Sequence, residues 1–195
     1  MQPSIFVSKY DLTLTVWSNL VLNNEPQRGT VNETDIILEY SKTRGKWVIE
    51  PSFFAYLNRP PLGQSDPVTS EISGKVSREA GPVKIYTSHT FDIQAYRGSW
   101  FGDAGVAYEG QWKKANIVSS ASAGGASSKF NEVYIGPAKR AFNFLGGDFS
   151  LKYPLGSHLS VRPHFEFSRI MDERLRRALR TPTVWNVGLA LGMDF

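Results

Sequence analysis

The stretch from Pro182 to Phe195 reads PTVWNVGLALGMDF, and its reading decides the fold. Trp185, Val187, Leu189, Leu191, Met193 and Phe195 take alternate places, with Asn186, Gly188, Ala190, Gly192 and Asp194 between them. Successive side chains of an extended strand point to opposite faces, so this segment has one large apolar face and one small or polar face. Two architectures use such a strand. A soluble sandwich or barrel turns the apolar face inward onto a core, whereas a barrel in lipid turns it outward and keeps a polar lumen.

The bulk composition narrows the choice. A chain of 195 residues suits one domain, here taken as 1–195, and 13% aromatic residues with 17 Gly and 11 Pro favour strands and turns over helices. No run of about 18 apolar residues occurs, which excludes a membrane-spanning helix. A spanning β-strand needs only about 9 to 11 residues, every second one free to be polar, so a mean hydropathy of −0.27 fits a membrane barrel as well as a soluble one. With no cysteine there are no disulfides, thiol nucleophiles or thiolate metal sites. Met1-Gln2-Pro3 opens the chain without a basic segment and apolar run, which fits a natural start or an exported product given a new initiator; the barrel pattern favours the second.

Ten strand-like segments follow one another. The first sets Tyr10, Leu12, Leu14 and Val16 against Lys9, Asp11, Thr13 and Thr15; the second sets Ile36, Leu38 and Tyr40 against Asp35 and Glu39. The third, from Trp47 to Leu57, contains Pro51, whose missing donor weakens pairing. Further strands are expected at Val68 to Val76, Val83 to Asp92, Trp100 to Trp112, Asn116 to Ala123, Phe142 to Tyr153 and Leu159 to Ser168, before the terminal strand. The intervals alternate between short turns, at 42–46, 78–82, 113–115 and 154–157, and longer loops, at 23–33, 58–67, 93–99, 124–141 and 170–182. Short turns at one end and long loops at the other are the arrangement of an outer-membrane barrel. The expected fold class is therefore all-β: a transmembrane antiparallel up-and-down β-barrel of about ten strands, with both termini periplasmic.

The terminal segment also resembles the last strand of bacterial outer-membrane barrels, which ends in Phe and which their barrel-assembly machinery reads during insertion. The wider order, YDLTLTVWSNLVL, TDIILEYS, WVIEPSFFAYL and finally VWNVGLALGMDF, resembles a widespread proteobacterial family of outer-membrane barrels with no characterised activity. That resemblance covers nearly the whole chain. It implies an outer-membrane location in a Gram-negative bacterium and supplies no catalytic residues.

With apolar residues facing lipid, the lumen would be lined by Lys9, Asp11, Asp35, Glu39, Glu50, Glu71, Lys75, Lys84, Asp103, Glu109, Asp148, Lys152, Arg162, His164 and Glu166, joined by Asp92, Lys113 and Asp194. Acids outnumber bases there, while the whole chain carries +4, so the loops are basic. Enclosed charges must be paired or hydrated. One reading is a closed, salt-bridged interior. The other is a narrow water-filled path, a porin for ions or small polar solutes, whose carboxylates favour cations. The segment IMDERLRRALRTP, 170–182, is a short amphipathic turn or helix whose Arg174, Arg176, Arg177 and Arg180 could hold lipopolysaccharide phosphates, with Tyr96 and Arg97 as lesser contributors. A solvated loop explains the same residues.

Chemistry beyond this has little support. Ser88 and His89 are adjacent in a strand, so they point to opposite faces and cannot form a dyad. Asp92 with His89 is a thin protease candidate, and His164 between Arg162 and Glu166 reads first as a structural network. His158 falls in a turn. No phosphate loop, zinc spacing or calcium loop occurs, so no cofactor or metal is expected and the chain reads as a non-enzyme, with a membrane-embedded hydrolase as the remaining alternative. The pI of 9.3 does not signal nucleic-acid binding, because the basic residues are scattered. Expected partners are outer-membrane lipids, lipopolysaccharide and small solutes, with the chain a monomer.

Overall fold

A computed structural model describes residues 1–22, 28–58 and 67–193. Asp194, Phe195 and most of the expected loop at 58–67 lie outside the described residues. No described helix is long and apolar enough to cross a membrane.

The chain forms one up-and-down antiparallel sheet of twelve strands. In order these are β1 (Ser4–Lys9), β2 (Leu12–Leu20), β3 (Val31–Tyr40), β4 (Lys42–Arg44), β5 (Trp47–Asn58), β6 (Thr69–Ala80), β7 (Val83–Asp92), β8 (Trp100–Trp112), β9 (Ala115–Ala126), β10 (Ala141–Pro154), β11 (Leu159–Ile170) and β12 (Thr183–Met193). Neighbours in sequence are neighbours in the sheet, except that β4 pairs only with β5, alongside β3. The pairing path starts at β1 and stops at β12, and no ladder closes it among the described residues.

Twelve strands replace the expected ten, and both additions have local causes. β1 was hidden because Ile5, Phe6 and Val7 are consecutive apolar residues with no alternation, and because its turn is Tyr10-Asp11, lacking the usual Asn or Gly signal. Both residues adopt left-handed backbone, φ 51° and 66°, the requirement of a tight two-residue hairpin. β4 falls within the expected turn at 42–46. In fact Lys42, Thr43 and Arg44 pair with Ile49, Val48 and Trp47, and the turn is only Gly45-Lys46, with Gly45 at φ 60°. Pro51 explains the split between β3 and β4: it has no N–H to give, and the ladder lapses between the Glu39–Ser52 and Lys42–Ile49 pairs.

The sheet divides into two compact units, Met1–Val76 with His89–Trp100, and Ser77–Ser88 with Phe101–Phe195. In the first, register puts Ile5 and Val7 of β1, Leu14 and Val16 of β2, Ile36 and Leu38 of β3, and Phe53 and Ala55 of β5 on one face. Thr13, Trp17, Glu39, Asp35, Ser52 and Tyr56 share the other. In the second, Val106, Ala121, Gly147, Phe167 and Trp185 stand on one face, and Ala107, Ser120, Asp148, Glu166 and Asn186 on the other. Period-two alternation in the sequence has become two chemically different surfaces.

Burial shows which surface lacks a partner. Among the described residues the buried apolar side chains are Ala115, Ala126 and Leu175 alone. Val187, Leu189 and Leu191 of β12 are 77%, 69% and 73% exposed. Burying one such side chain is worth about 1.5 to 3 kcal/mol, and a soluble monomer rarely leaves a contiguous apolar patch of this extent open to water.

The long connections carry structure the sequence reading only half anticipated. The loop after β11 holds α2 (Glu173–Ala178), the amphipathic turn or helix expected there, with Leu175 fully buried and Asp172 as its N-cap. The loop after β9, expected only as a longer loop at 124–141, holds α1 (Ser128–Tyr134), capped by the Ser127 hydroxyl accepting from Phe130 N–H.

A polar face as the candidate functional site

The most developed polar surface lies across β7 to β12 in the second unit. One row runs Ala107, Ser120, Asp148, Glu166, Asn186 from β8 to β12, and the next runs Gly105, Ser122, Gly146, Ser168, Val184. Asp148 and Glu166 are therefore directly opposed carboxylates. Like charges facing each other across a ladder are destabilising, so this pair is a local cost within the fold. Asp148 accepts from the Ser120 hydroxyl and Glu166 from the Asn186 amide at 3.3 Å.

A cleft of about 250 Å³ opens here, lined among others by Ser120, Ser122, Phe144, Asp148, Glu166 and Asn186. Its aromatic wall depends on absent side chains. A Cβ on Gly124 would lie 2.6 Å from the Phe144 ring and one on Gly146 2.9 Å from it, so the two glycines make the seat in which the ring lies flat on the sheet. Phe101 packs on Phe144 with centroids 5.4 Å apart, and Phe130 of α1 packs on Phe101 at the same spacing. The loop after β9 thus reaches an aromatic group on the polar face.

That loop is anchored by polar groups. Asn131 of α1 and Asn143 of β10, both buried, exchange side-chain amide hydrogen bonds of 3.1 and 2.5 Å. Asn131 also donates to the Lys139 carbonyl, and Met171 N–H donates to that of Asn143. The Lys139 ammonium lies 2.6 Å from Asp172 Oδ2, joining the two helix-bearing loops. This hydrogen bond from Lys139, aided by the N–H groups of Leu175 and Arg174, holds the Asp172 carboxyl below the usual carboxylate range. No periodicity marks such an anchor; an Asn beside a strand and another in a polar loop look like ordinary loop residues.

The expected lumenal residues divide cleanly. Asp103, Glu109, Asp148, Arg162, His164 and Glu166 stand on the polar face of β8, β10 and β11, where Asp103 takes the Ser88 hydroxyl and Lys84 meets Glu109 at 3.0 Å. Lys152, also on β10, pairs with Asn116 on that face. The His164 ring covers Gly188, where an added Cβ would come within 2.2 Å of it. In the first unit Asp35 and Glu39 share the polar face with Tyr56 and Ser52, Glu71 accepts from the Tyr56 hydroxyl at 3.0 Å, and Lys75 lies 3.7 Å from Glu50. Asp35 Oδ1 is buried without a hydrogen-bond partner.

Three assignments need correction, those of Lys9, Asp11 and Lys113. The Tyr10-Asp11 turn reverses the chain, so Lys9 pairs with Leu12 and falls on the apolar side, its ammonium 5.0 Å from the Tyr10 ring centre. Asp11 is in the turn itself and meets Lys42 at 2.9 Å, both groups exposed. Lys113 is likewise a turn residue, φ 55°, with its ammonium 5.2 Å from the Trp112 ring centre. Asp92, 4% exposed, keeps the polar side of β7 that it shares with Lys84 and Ser88, and it also anchors the loop that follows: it accepts from Thr69 Oγ1 at 2.5 Å and from the N–H groups of Gln94 and Tyr96. That role leaves little of Asp92 for a protease pairing with His89, whose ring stacks on Trp100 at 5.8 Å while Ser88 turns to Asp103 on the other face.

The arginines of 170–182 differ in their partners. Arg176 donates to the Met171 carbonyl at 3.1 Å, Arg177 pairs with Glu173, and Arg174 and Arg180 are exposed. Arg97 donates to the Ile93 carbonyl within its own loop.

No family model matches the sequence, and no curated protein matches it. Solved structures match the fold. The chain is similar to the NanC porin over 100% of its length and 92% of that chain, with a TM-score of 0.64 and 12% identity. It is also similar, at a TM-score of 0.49 and 14% identity, to outer membrane phospholipase A from Escherichia coli, over 99% of this chain and 77% of that one. Alternating faces, short turns opposite long loops and an up-and-down antiparallel sheet are thus combined in a chain whose fold is similar to that of the NanC porin.

Proposed function

We propose that the chain closes into an outer-membrane barrel that passes small cations or small polar solutes. The observation that carries this reading is the chemical split of the sheet. One face is apolar and exposed along β12, while the other brings Asp148 and Glu166 side by side above a cleft. In lipid the first face is solvated by hydrocarbon and the second lines an enclosed aqueous path, where unsatisfied negative potential attracts cations. The long loops are then extracellular and the turns at Gly45-Lys46, Gly81-Pro82 and Lys113-Lys114 periplasmic.

Planar-bilayer recording tests the proposal. Folded protein is expected to give discrete conductance steps with a reversal potential favouring cations over anions, and Asp148→Asn with Glu166→Gln to reduce that preference at least twofold without loss of folding. Absence of steps from well-folded protein overturns the channel.

One observation favours a second reading, a barrel closed to flow. The aromatic group of Phe101, Phe130 and Phe144 lies on the polar face under a loop tethered through Asn131 and Asn143. In that case the exposed Arg174 and Arg180 serve a surface role, with lipopolysaccharide phosphates as the matching chemistry. Retention of the protein on lipopolysaccharide, lost in an Arg174→Ala, Arg180→Ala variant and accompanied by zero conductance, supports this alternative.

A further inference from the structure

We propose that the cleft beside Phe144 is a binding subsite for a small, flat organic cation that carries N–H donors, of the guanidinium class. The inference rests on the channel reading above and deepens it by naming the solute that the polar face selects. Every residue it uses belongs to the second unit.

The aromatic wall is the first observation. Strand parity sets Phe144 in line with Gly146 and Asp148, on the polar side of β10 and opposite Gly124. Its ring lies where two side chains are missing, since a Cβ on Gly124 or Gly146 would come within 2.6 or 2.9 Å of it. Phe101 packs against the same ring at 5.4 Å and fixes it further. A rigid ring face in a polar cleft suits a flat partner that is itself weakly hydrated, and guanidinium stacks on aromatic faces for that reason.

Charge is the second observation, and it is independent of the first. Asp148 and Glu166 oppose each other across β10 and β11, one step along the polar side from Gly146 and Ser168. Each takes a neutral donor on one oxygen only: the Ser120 hydroxyl reaches Asp148 Oδ2, and the Asn186 amide reaches Glu166 Oε2 at 3.3 Å. Asp148 Oδ1 and Glu166 Oε1 therefore keep acceptor capacity toward the cleft that both residues line. A cation seated between them turns a repulsive cross-strand pair into two charge-assisted contacts.

Size is the third. At about 250 Å³ the cleft is smaller than the roughly 300 to 1,000 Å³ of pockets for drug-sized ligands, so its occupant has few heavy atoms.

Together these features select among solutes. A metal ion would use the carboxylates and gain nothing from the ring. A neutral polar solute can lie on the ring but leaves the carboxylates repelling each other. An ammonium is a compact, strongly hydrated point charge without a flat face. A guanidinium offers a face to Phe144 and a planar fork of N–H donors to the two carboxylates.

The test titrates methylguanidinium into the protein folded in detergent micelles and follows the amide resonances of Gly146 and Gly147. N-methylurea, of the same shape without the charge, and sodium are the controls, at matched ionic strength. Methylguanidinium is expected to give saturable shifts with a half-saturation concentration at least tenfold below that of either control. Asp148→Asn with Glu166→Gln should raise that concentration at least tenfold. Phe144→Leu should raise it about threefold or more while leaving sodium unaffected, and Phe144→Tyr, which keeps the ring, should stay within twofold of the parent chain. Methylguanidinium binding no tighter than N-methylurea, or an unchanged preference in Phe144→Leu, overturns the subsite. Planar-bilayer conductance separates this result from the channel reading: steps without saturable binding overturn the subsite alone, whereas saturable binding without steps overturns the channel and leaves the subsite as the ligand site of a closed barrel.

Discussion

The strand wall and the loop end are held together in different ways. Along β10 to β12 the wall has a continuous ladder and a polar face of hydrogen-bonded side chains, but Phe149, Phe165 and Leu189 have no apolar neighbours deep enough to bury them. The loop end of the same unit behaves like a fragment of a soluble protein: Leu175 is fully buried, Asn131 and Asn143 satisfy each other, and caps close both helices. The wall's stability therefore depends on what solvates its outer face, while the loop end supplies its own core. One sequence contains both because lipid replaces the core only where the chain meets lipid.

The sharpest way to break this comparison is a charge on the wall. Leu189→Arg is expected to destabilise the lipid-folded protein by about 2 to 4 kcal/mol, read from its urea midpoint in vesicles. Ala190→Arg, one residue on and facing the polar side beside Arg162, should cost far less, its penalty limited to like-charge repulsion. Equal penalties at the two positions would show that the faces are not distinct.

A smaller effect is expected at the loop end. Asn143→Ala leaves the Asn131 amide buried and short of a partner, a cost of about 1 to 3 kcal/mol. Because the anchor belongs to the loop, the loss should appear as faster proteolysis between α1 and β10 in detergent and in lipid alike, with the wall's urea midpoint little changed. A global loss confined to lipid would merge the two regions into one.

Acid gives the smallest effect. The Asp172 carboxyl has a lowered value in the folded chain, so its contribution is present above the ordinary aspartate pKa near 4 and lost as pH falls through the folded value. Hydrogen exchange in the 127–140 and 171–182 loops should rise as pH drops into the acid range, after correction for intrinsic rates. Asp172→Asn should raise exchange at neutral pH and remove the pH dependence. An unchanged acid profile in that variant would assign the opening to other carboxylates.

Much of the strand wall was legible because it depends on a local quantity. Alternation in PTVWNVGLALGMDF specifies two faces whatever the neighbours are, and the short and long intervals specify an up-and-down order. Even the Ser- and Ala-rich segment after Lys113 pairs as β9 on both sides, since its small residues suit a strand flanked by Gly105, Gly146 and Gly147. Lys9, Asp11 and Lys113 differ from expectation where a turn determines the direction of the side chain: two-residue reversals at Tyr10-Asp11 and Lys113-Lys114 carry no strong turn signal.

By itself, then, the sequence determined that the protein is built of antiparallel strands with unlike faces, and which charged residues within strands β8, β10 and β11 share the polar one. Only tertiary structure decided that Asp148 meets Glu166, that Phe144 lies across two glycines, that Asn131 and Asn143 bury each other, and that β1 covers β2. The reason is range. Face is set by a residue's parity within its own strand, whereas these meetings depend on register between different segments of the chain, which hairpin turns and bulges set in three dimensions.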